Sequence, residues 1–486
     1  MSSPEKANIQ FDGSGGGYGS VSGVPPSEQQ QAQQQRFSWG QEEASGTEMP
    51  AEWEDDSMEK QYLLGGEKEK KVFVNAGRQQ TTTAMQTFIN LFKSYLGSGL
   101  LGLPFAFKEG GVLATFFMMA LVGIISAHTM YWLVACKRKI NTYDTSVVTY
   151  SDIGRHTYGK WMARAIDFLL LFTQFGFTCV YVVYLSTNTQ TFMPHINWRL
   201  VMLMWLPALC ILANLQTLKH MSPIALLANI TILFSLCVVL IAAITNLAHK
   251  LDHNHTMDAV DVHWFINPSL RHVPVAFGMA VYAFEGIGVV LPAETSMKQP
   301  RKFPMVLTWV VVVSTINYIM FGLLCYLGFG HSTDDLITKN LKEFANGNDV
   351  WVAFSYIVRI LLLFTIFATY PIQLFVVTDI GEEAMFKPGR LSPRFKLLKQ
   401  IIFRCCLVLL GCVVAVAVPN FGLLIGLIGA LGSASLQFIF PSLFIFKLFP
   451  ESSIWKKLLS GLYIAFGVAG GLLGTALTIE QIVETY

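Results

Sequence analysis

The chain has 486 residues, of which 53% are hydrophobic and 14% charged, with a formal net charge of +2 and a positive mean hydropathy. That balance is too apolar for a soluble enzyme of this length and indicates a polytopic membrane protein. Lys and Arg are scattered through loops rather than gathered on one face, so no nucleic-acid partner is indicated.

Residues 1–80 differ from the rest. They are Gly-rich at 13–19, Gln-rich at 29–35 and acidic at 42–59, and they lack periodic apolar residues. Such a segment cannot bury a core and is expected to be a disordered tail ahead of a transmembrane domain over 81–486. No signal peptide is expected, because the first apolar stretch begins near Ala84 and has full span length. Within the tail, Glu59 stands four places before the pair Leu63-Leu64. This spacing matches acidic dileucine sorting signals, which adaptor proteins read on cytoplasmic tails; a chance match is the alternative.

From Ala84 onward, the need to cross about 30 Å of hydrocarbon divides the chain into roughly eleven spans. They are predicted at 84–107, 111–135, 165–188, 200–217, 222–246, 273–293, 304–329, 350–376, 400–418, 421–446 and 458–479. Lys137, Arg138, Lys139, Arg155, Lys160 and Arg164 share one loop, and Lys298, Arg301 and Lys302 share another. With Lys387, Arg390, Arg394, Lys396 and Lys399, and with Lys447, Lys456 and Lys457, they fall on one side, which the positive-inside rule makes cytoplasmic. The tail is then cytoplasmic too. The sequon Asn254-His255-Thr256 falls on the opposite side, so Asn254 is a candidate glycosylation site, whereas Asn229-Ile230-Thr231 lies inside span five. The eight cysteines lie mostly in apolar runs without Cys-x-x-Cys spacing and read as small core residues, not metal ligands.

Two spans are punctured by glycine and proline. Span one contains Gly97-Ser98-Gly99-Leu100-Leu101-Gly102-Leu103-Pro104, and span six contains Phe284-Glu285-Gly286-Ile287-Gly288-Val289-Val290-Leu291-Pro292. Such interruptions free backbone N–H and C=O groups, which a bilayer tolerates only where they face protein or a water-filled cavity. Recurring in two halves of a chain, they point to a transporter's midplane binding site. The backbone of Gly97, Ser98 and Gly99 offers a half-helix N-terminus suited to a carboxylate. Carbonyls around Phe284, Gly286 and Gly288 are candidates to accept from an α-ammonium group, with Phe284 as a cap over the pocket. The other reading is that these glycines allow close helix packing, as Gly422, Gly426, Gly467 and Gly471 are expected to do.

Charges inside the spans are few, and each is a functional hypothesis. Glu285, midway through span six, is a candidate proton carrier or the partner of a salt bridge to Lys93 or Arg359. Lys93 stands four residues before the span-one break and would help to position it. Arg359 is expected to snorkel toward its end of the membrane. His128 in span two either titrates or packs through a hydrogen bond. Asp167 and Glu294, near span ends, are expected to be solvated.

The run Tyr282 to Glu294, followed by Met297-Lys298 and Arg301-Lys302-Phe303-Pro304, resembles the sixth span and following loop of the proton-coupled amino acid transporters of the amino acid/auxin permease superfamily. Leu100-Leu101-Gly102-Leu103-Pro104, Gly123-Ile124-Ile125-Ser126-Ala127-His128 and Leu226-Leu227-Ala228-Asn229-Ile230-Thr231 are similar as well. The resemblance covers nearly everything after residue 84. It implies an all-α fold of eleven helices, the first ten in two inverted five-helix repeats as in leucine-transporter-type folds, with helices one and six broken. It also implies small neutral amino acids as substrates and a proton as coupling ion, with no other cofactor. Proton-coupled members carry a histidine seven residues before the first broken-helix glycine, where this chain has Asn90, an amide that does not titrate. Coupling through Glu285, or uncoupled flux, is therefore expected instead, and Lys93 one turn on makes a sodium site unattractive.

The sequence thus predicts a secondary transporter for small neutral amino acids working by alternating access, without covalent catalysis. The alternative is a nutrient sensor that binds an amino acid and signals through its tail. The dileucine pattern favours a lysosomal, endosomal or vacuolar membrane over the plasma membrane.

Overall fold

The computed structural model describes residues 81–485 apart from residue 145 and the segments 215–220, 255–260, 346–348 and 386–392. The sorting motif Glu59, Leu63 and Leu64 therefore lies outside the described residues, as do His255 and Thr256 of the sequon. Asn254 is the last residue of its helix.

Span one is built from α1 (Ala84–Tyr95) and α2 (Ser98–Gly110), followed by α3 (Val112–Asn141), a short α4 (Tyr150–Tyr158), α5 (Lys160–Gln190), α6 (Trp198–Ala213) and α7 (Met221–Asn254). Span six is α8 (Val273–Ala283) with α9 (Ile287–Ser296). There follow α10 (Phe303–Phe329), a loop helix α11 (Ile337–Phe344), α12 (Asp349–Met385) and α13 (Pro393–Ala417). Span ten runs from α14 (Phe421–Ile428) through two π-helical segments, Gly429–Ser433 and Ser435–Ile439, into α15 (Phe440–Leu448), and α16 (Ile454–Thr485) closes the chain.

Among the described residues nine helices are long and apolar enough to cross a bilayer, and α6 is a shorter apolar helix. The broken pair α1–α2 completes eleven crossings, each overlapping its predicted span, with most helices longer than the span and α6 ending short of it at Ala213. The protein is a multi-pass membrane protein, with spans one and six broken as expected. Large apolar side chains point outward from α6 (Leu203, Met204, Ile211), α7 (Leu226, Ile230, Leu233) and α13 (Leu409, Val413), where lipid rather than water is their natural cover.

Counting crossings puts the ends of α3, α9 and α15 on the side of Ala84, the tail side, and the ends of α2 and α16 on the opposite, far side. Buried ionic contacts stitch both ends. On the tail side, Glu294 is fully buried, 2.8 Å from Lys137 Nζ and 3.0 Å from Arg138 Nε. The expectation that Glu294 is solvated is thus corrected: the α3 cations turn inward to meet it, and a buried carboxylate needs such partners. Asp167 is half-buried and accepts a hydrogen bond from Ser151. The strand before α1 pairs with the end of α9, through Thr82 N–H to Ser296 O (3.0 Å) and Lys298 N–H to Thr82 O (2.9 Å).

On the far side, the first N–H groups of α3 donate to the carbonyls of His263, Trp264 and Phe265 at 2.8–3.0 Å, which satisfies a helix start that has no side-chain cap. Lys108 at the end of α2 donates to Thr333 O (2.7 Å), while Asp335 accepts from Phe421 N–H (2.8 Å) and pairs with Lys339 (2.5 Å).

Packing glycines behave as their spacing predicts. A Cβ at Gly426 would lie 3.3 Å from Val275 O, one at Gly467 3.0 Å from Phe438, one at Gly471 3.0 Å from Ala430 O, and one at Gly422 2.5 Å from Phe105. The tightest approach is between α8 and span ten, where a Cβ at Gly278 would meet Gly426 O at 2.1 Å and one at Gly429 would meet Gly278 O at 1.9 Å.

Candidate binding site between the two broken helices

The span-one break falls at Leu96 and Gly97, and α2 restarts at Ser98 with no side-chain cap. Its N-terminal backbone N–H groups therefore face the middle of the bundle, with the positive end of the helix dipole behind them. The span-six break covers Phe284, Glu285 and Gly286. The two breaks touch: a Cβ at Gly99 would lie 3.2 Å from Ala283 Cα and from the Tyr282 ring.

A tyrosine of α10 joins them. The Tyr318 hydroxyl lies 2.6 Å from Tyr95 O and 2.8 Å from Ala283 O, so its single proton is shared between the last carbonyls of α1 and α8, the former also accepting from Gly97 N–H (3.0 Å). Beside the breaks, Tyr282 Oη sits 3.2 Å from Ser98 Oγ, and the Phe177 ring stands edge-on to Tyr282 at 4.7 Å.

The predicted glycines divide into two kinds. Gly97 and Gly288 face open space, with nothing within 4 Å of a Cβ at Gly97 and only Leu170 at 4.0 Å from one at Gly288. Gly99 and Gly286 are packing glycines, the latter pressed on Tyr95 Oη, which a Cβ would approach to 2.8 Å. The expected carbonyl acceptors also move. Gly286 O already accepts from Val289 N–H (3.1 Å), and Gly288 lies in the first turn of α9, because the helix resumes only three residues after it breaks. Phe284 does not cap an open pocket. Its ring is fully buried, 5.1 Å from Tyr318, and close against the Gly123 position.

Glu285 is half-buried and accepts a hydrogen bond from Ser433 in the first π-helical segment, with the Thr173 hydroxyl of α5 as a second partner. No described cation lies within ion-pair distance of it, so the salt bridges to Lys93 and Arg359 are absent. Lys93 is half-buried on α1, and Asn90 points out of the bundle. Arg359 does reach toward the far side, yet it is 1% exposed and held by Thr191 Oγ1 (2.7 Å) and Thr338 O. It ends in protein rather than in water, because α11 lies over it. His128 binds Tyr463 Oη through Nδ1 (2.9 Å) and lies tilted against Trp132 at 4.5 Å, so it docks α16 and stands away from the breaks.

Sequence reasoning missed Tyr282, Tyr318, Ser433, Thr173 and Gln437. Gln437 accepts from Ser126 and donates to Val281 O, both at 2.9 Å, bridging α3 and α8 through span ten. The signal available for the last was a lone amide inside an apolar run, which demands partners wherever it is buried.

The profile of the family described as "Transmembrane amino acid transporter protein" matches residues 80–480. Vacuolar amino acid transporter 4 of Saccharomyces cerevisiae is 28% identical over 451 residues, a stretch that covers 85% of this chain and 60% of the yeast protein. The chain thus spans less than two thirds of that relative's length. Proton-coupled amino acid transporter-like protein pathetic of Drosophila melanogaster is 28% identical over 432 residues, covering 83% of this chain and 86% of the fly protein. A crystal structure of MhsT in complex with L-phenylalanine superposes with a TM-score of 0.46 and 12% identity, covering 83% of this chain and all of that one.

Proposed function

Because this chain belongs to the transmembrane amino acid transporter protein family, we propose that it is a secondary transporter that carries small neutral amino acids by alternating access. The observation that carries the reading is the uncapped N-terminus of α2 beside the span-six break, with Tyr282 Oη 3.2 Å from Ser98 Oγ. A substrate carboxylate would take the N–H groups at Ser98 and Gly99, displacing the Tyr282 hydroxyl. The ammonium group would lie toward Glu285, whose partners Ser433 and Thr173 are neutral. The Tyr282 and Phe177 rings wall this region, which supports a short substrate side chain.

Glu285 is the proposed coupling group. A carboxylate near the midplane with no described cation beside it can carry a proton and exchange it when the site opens to water. The positive-inside rule supports a cytoplasmic tail side, and the yeast relative's printed name supports a vacuolar membrane, with the far side in the lumen.

The test is uptake of labelled proline, alanine and a larger neutral amino acid into proteoliposomes under an imposed pH gradient and, separately, a sodium gradient. Saturable flux of the small substrates supports the reading, and proton-driven accumulation supports coupling. Specific binding without flux would replace transport with sensing.

A further inference from the structure

At the far ends of the same two broken helices, opposite the ends that form the binding site, stands a second titratable pair. Glu109, the penultimate residue of α2, is 6% exposed, and its Oε2 lies 2.5 Å from Nδ1 of His272, the residue that begins α8. We propose that Glu109 and His272 form a proton-binding site through which far-side acidity controls transport, an inference that rests on the transport reading above.

The geometry carries the proposal. One proton shared between an imidazole and a buried carboxylate ties α2 to α8, the two half-helices whose other ends hold Ser98 and Tyr282. The groups facing His272 are Glu109 and Lys108 from α2, Glu484 from α16, and His263 from the preceding loop. The neighbouring Arg271 takes up Glu480 (2.9 Å) and Glu484 (3.9 Å), and the Gln481 amide is 3.2 Å from the His272 ring. The Glu109 hydrogen bond is the main cause that raises His272 above the ordinary histidine value. Its stabilisation is therefore complete below that ordinary value and fades as pH rises through the raised one. Acid on the far side holds the helix ends together, and neutral pH releases them.

Two readouts test this on the full-length protein. The first is the rate of exchange of labelled for unlabelled substrate, which needs no net proton movement through Glu285, with far-side pH varied from about 5 to about 8 at fixed tail-side pH, where the wild type is expected to change at least about fivefold and His272→Gln and Glu109→Gln less than about 1.5-fold. Arg271→Gln, which leaves the pair in place, is expected to keep the wild-type dependence. The second is thermal unfolding of the detergent-purified proteins over the same range. The wild type should melt above His272→Gln in acid, with the gap closing as pH rises. Wild-type pH dependence retained in folded His272→Gln, or a melting gap that does not vary with pH, would overturn the proposal. No flux from wild type under any condition would defeat the transport reading instead, and the melting curves would still decide the proton site.

Discussion

The Tyr282 hydroxyl lies 3.2 Å from Ser98 Oγ, so the last turn of α8 presents its own polar group to the uncapped start of α2. A substrate carboxylate and this hydroxyl compete for the same end of the helix. Removing the hydroxyl should free Ser98 Oγ and clear the space beside the first N–H groups of α2 in the empty carrier. Tyr282→Phe is expected to lower KM for alanine or proline about two- to tenfold, the worth of one neutral hydrogen bond. Ser98→Ala should act in the same direction and add little to it. Initial-rate uptake against substrate concentration checks this, and an unchanged KM in both variants would show that the contact does not oppose binding.

Tyr318 serves both breaks at once, through Tyr95 O and Ala283 O. Tyr318→Phe keeps the ring against Phe284 but leaves Ala283 O without its hydroxyl donor and Tyr95 O with only the Gly97 N–H (3.0 Å). The expected cost is about 1–3 kcal/mol of stability, with turnover reduced more than KM, since the breaks lose their shared anchor. Thermal unfolding and a kcat-against-KM comparison distinguish this from a global folding defect.

For Glu285→Gln, the amide can still hydrogen-bond Ser433 but cannot release a proton. Saturable exchange of labelled for unlabelled substrate should persist, while accumulation driven by an inward proton gradient should fall at least about tenfold. Accumulation at the wild-type level would eliminate Glu285 as the coupling group.

The tail-side cluster should behave as a buried ion pair. Glu294→Gln leaves Lys137 buried beside a neutral amide and is expected to destabilise the protein by about 3–5 kcal/mol. Lys137→Met combined with Glu294→Leu, which removes both buried charges, should recover most of that loss. A melting temperature for the double variant no higher than for the single would mean that the charges act independently.

Among the described glycines, Gly429 leaves the least room for a side chain, because Gly278 lies directly against it. Gly429→Ala would drive a methyl group to 1.9 Å from Gly278 O, forcing α8 and span ten apart. The expected loss is about 1–3 kcal/mol or more, with reduced yield of folded protein. Gly97→Ala, at a position with nothing within 4 Å, should fold normally and impair only transport. Size-exclusion profiles together with uptake separate the two outcomes.

Much of this architecture is legible in the chain. A bilayer imposes one length on every crossing, so apolar runs alone locate the spans to within a few residues. Glycine and proline within such runs locate the breaks, because no other residues leave backbone polar groups free in lipid. The ends of crossings were read less well. Glu294 looked solvated because its position near a span end says nothing of α3, whose Lys137 and Arg138 are about 157 residues earlier and fold back onto it. The same holds for Glu285, whose partners Ser433 and Thr173 come from two other helices, and for Phe284, which turned inward onto Tyr318 instead of over the site.

The sequence by itself therefore determined the number of crossings, the two broken spans, the candidate carboxylate in span six and the absence of a titratable group at Asn90, since these depend on local hydrophobicity, backbone freedom and side-chain chemistry. Only the tertiary structure decided which glycines are open and which are packed, which hydroxyl occupies the start of α2, and that His272 meets Glu109. Those are contacts between residues far apart in the chain, and they are set by how helices cross rather than by what any one helix contains.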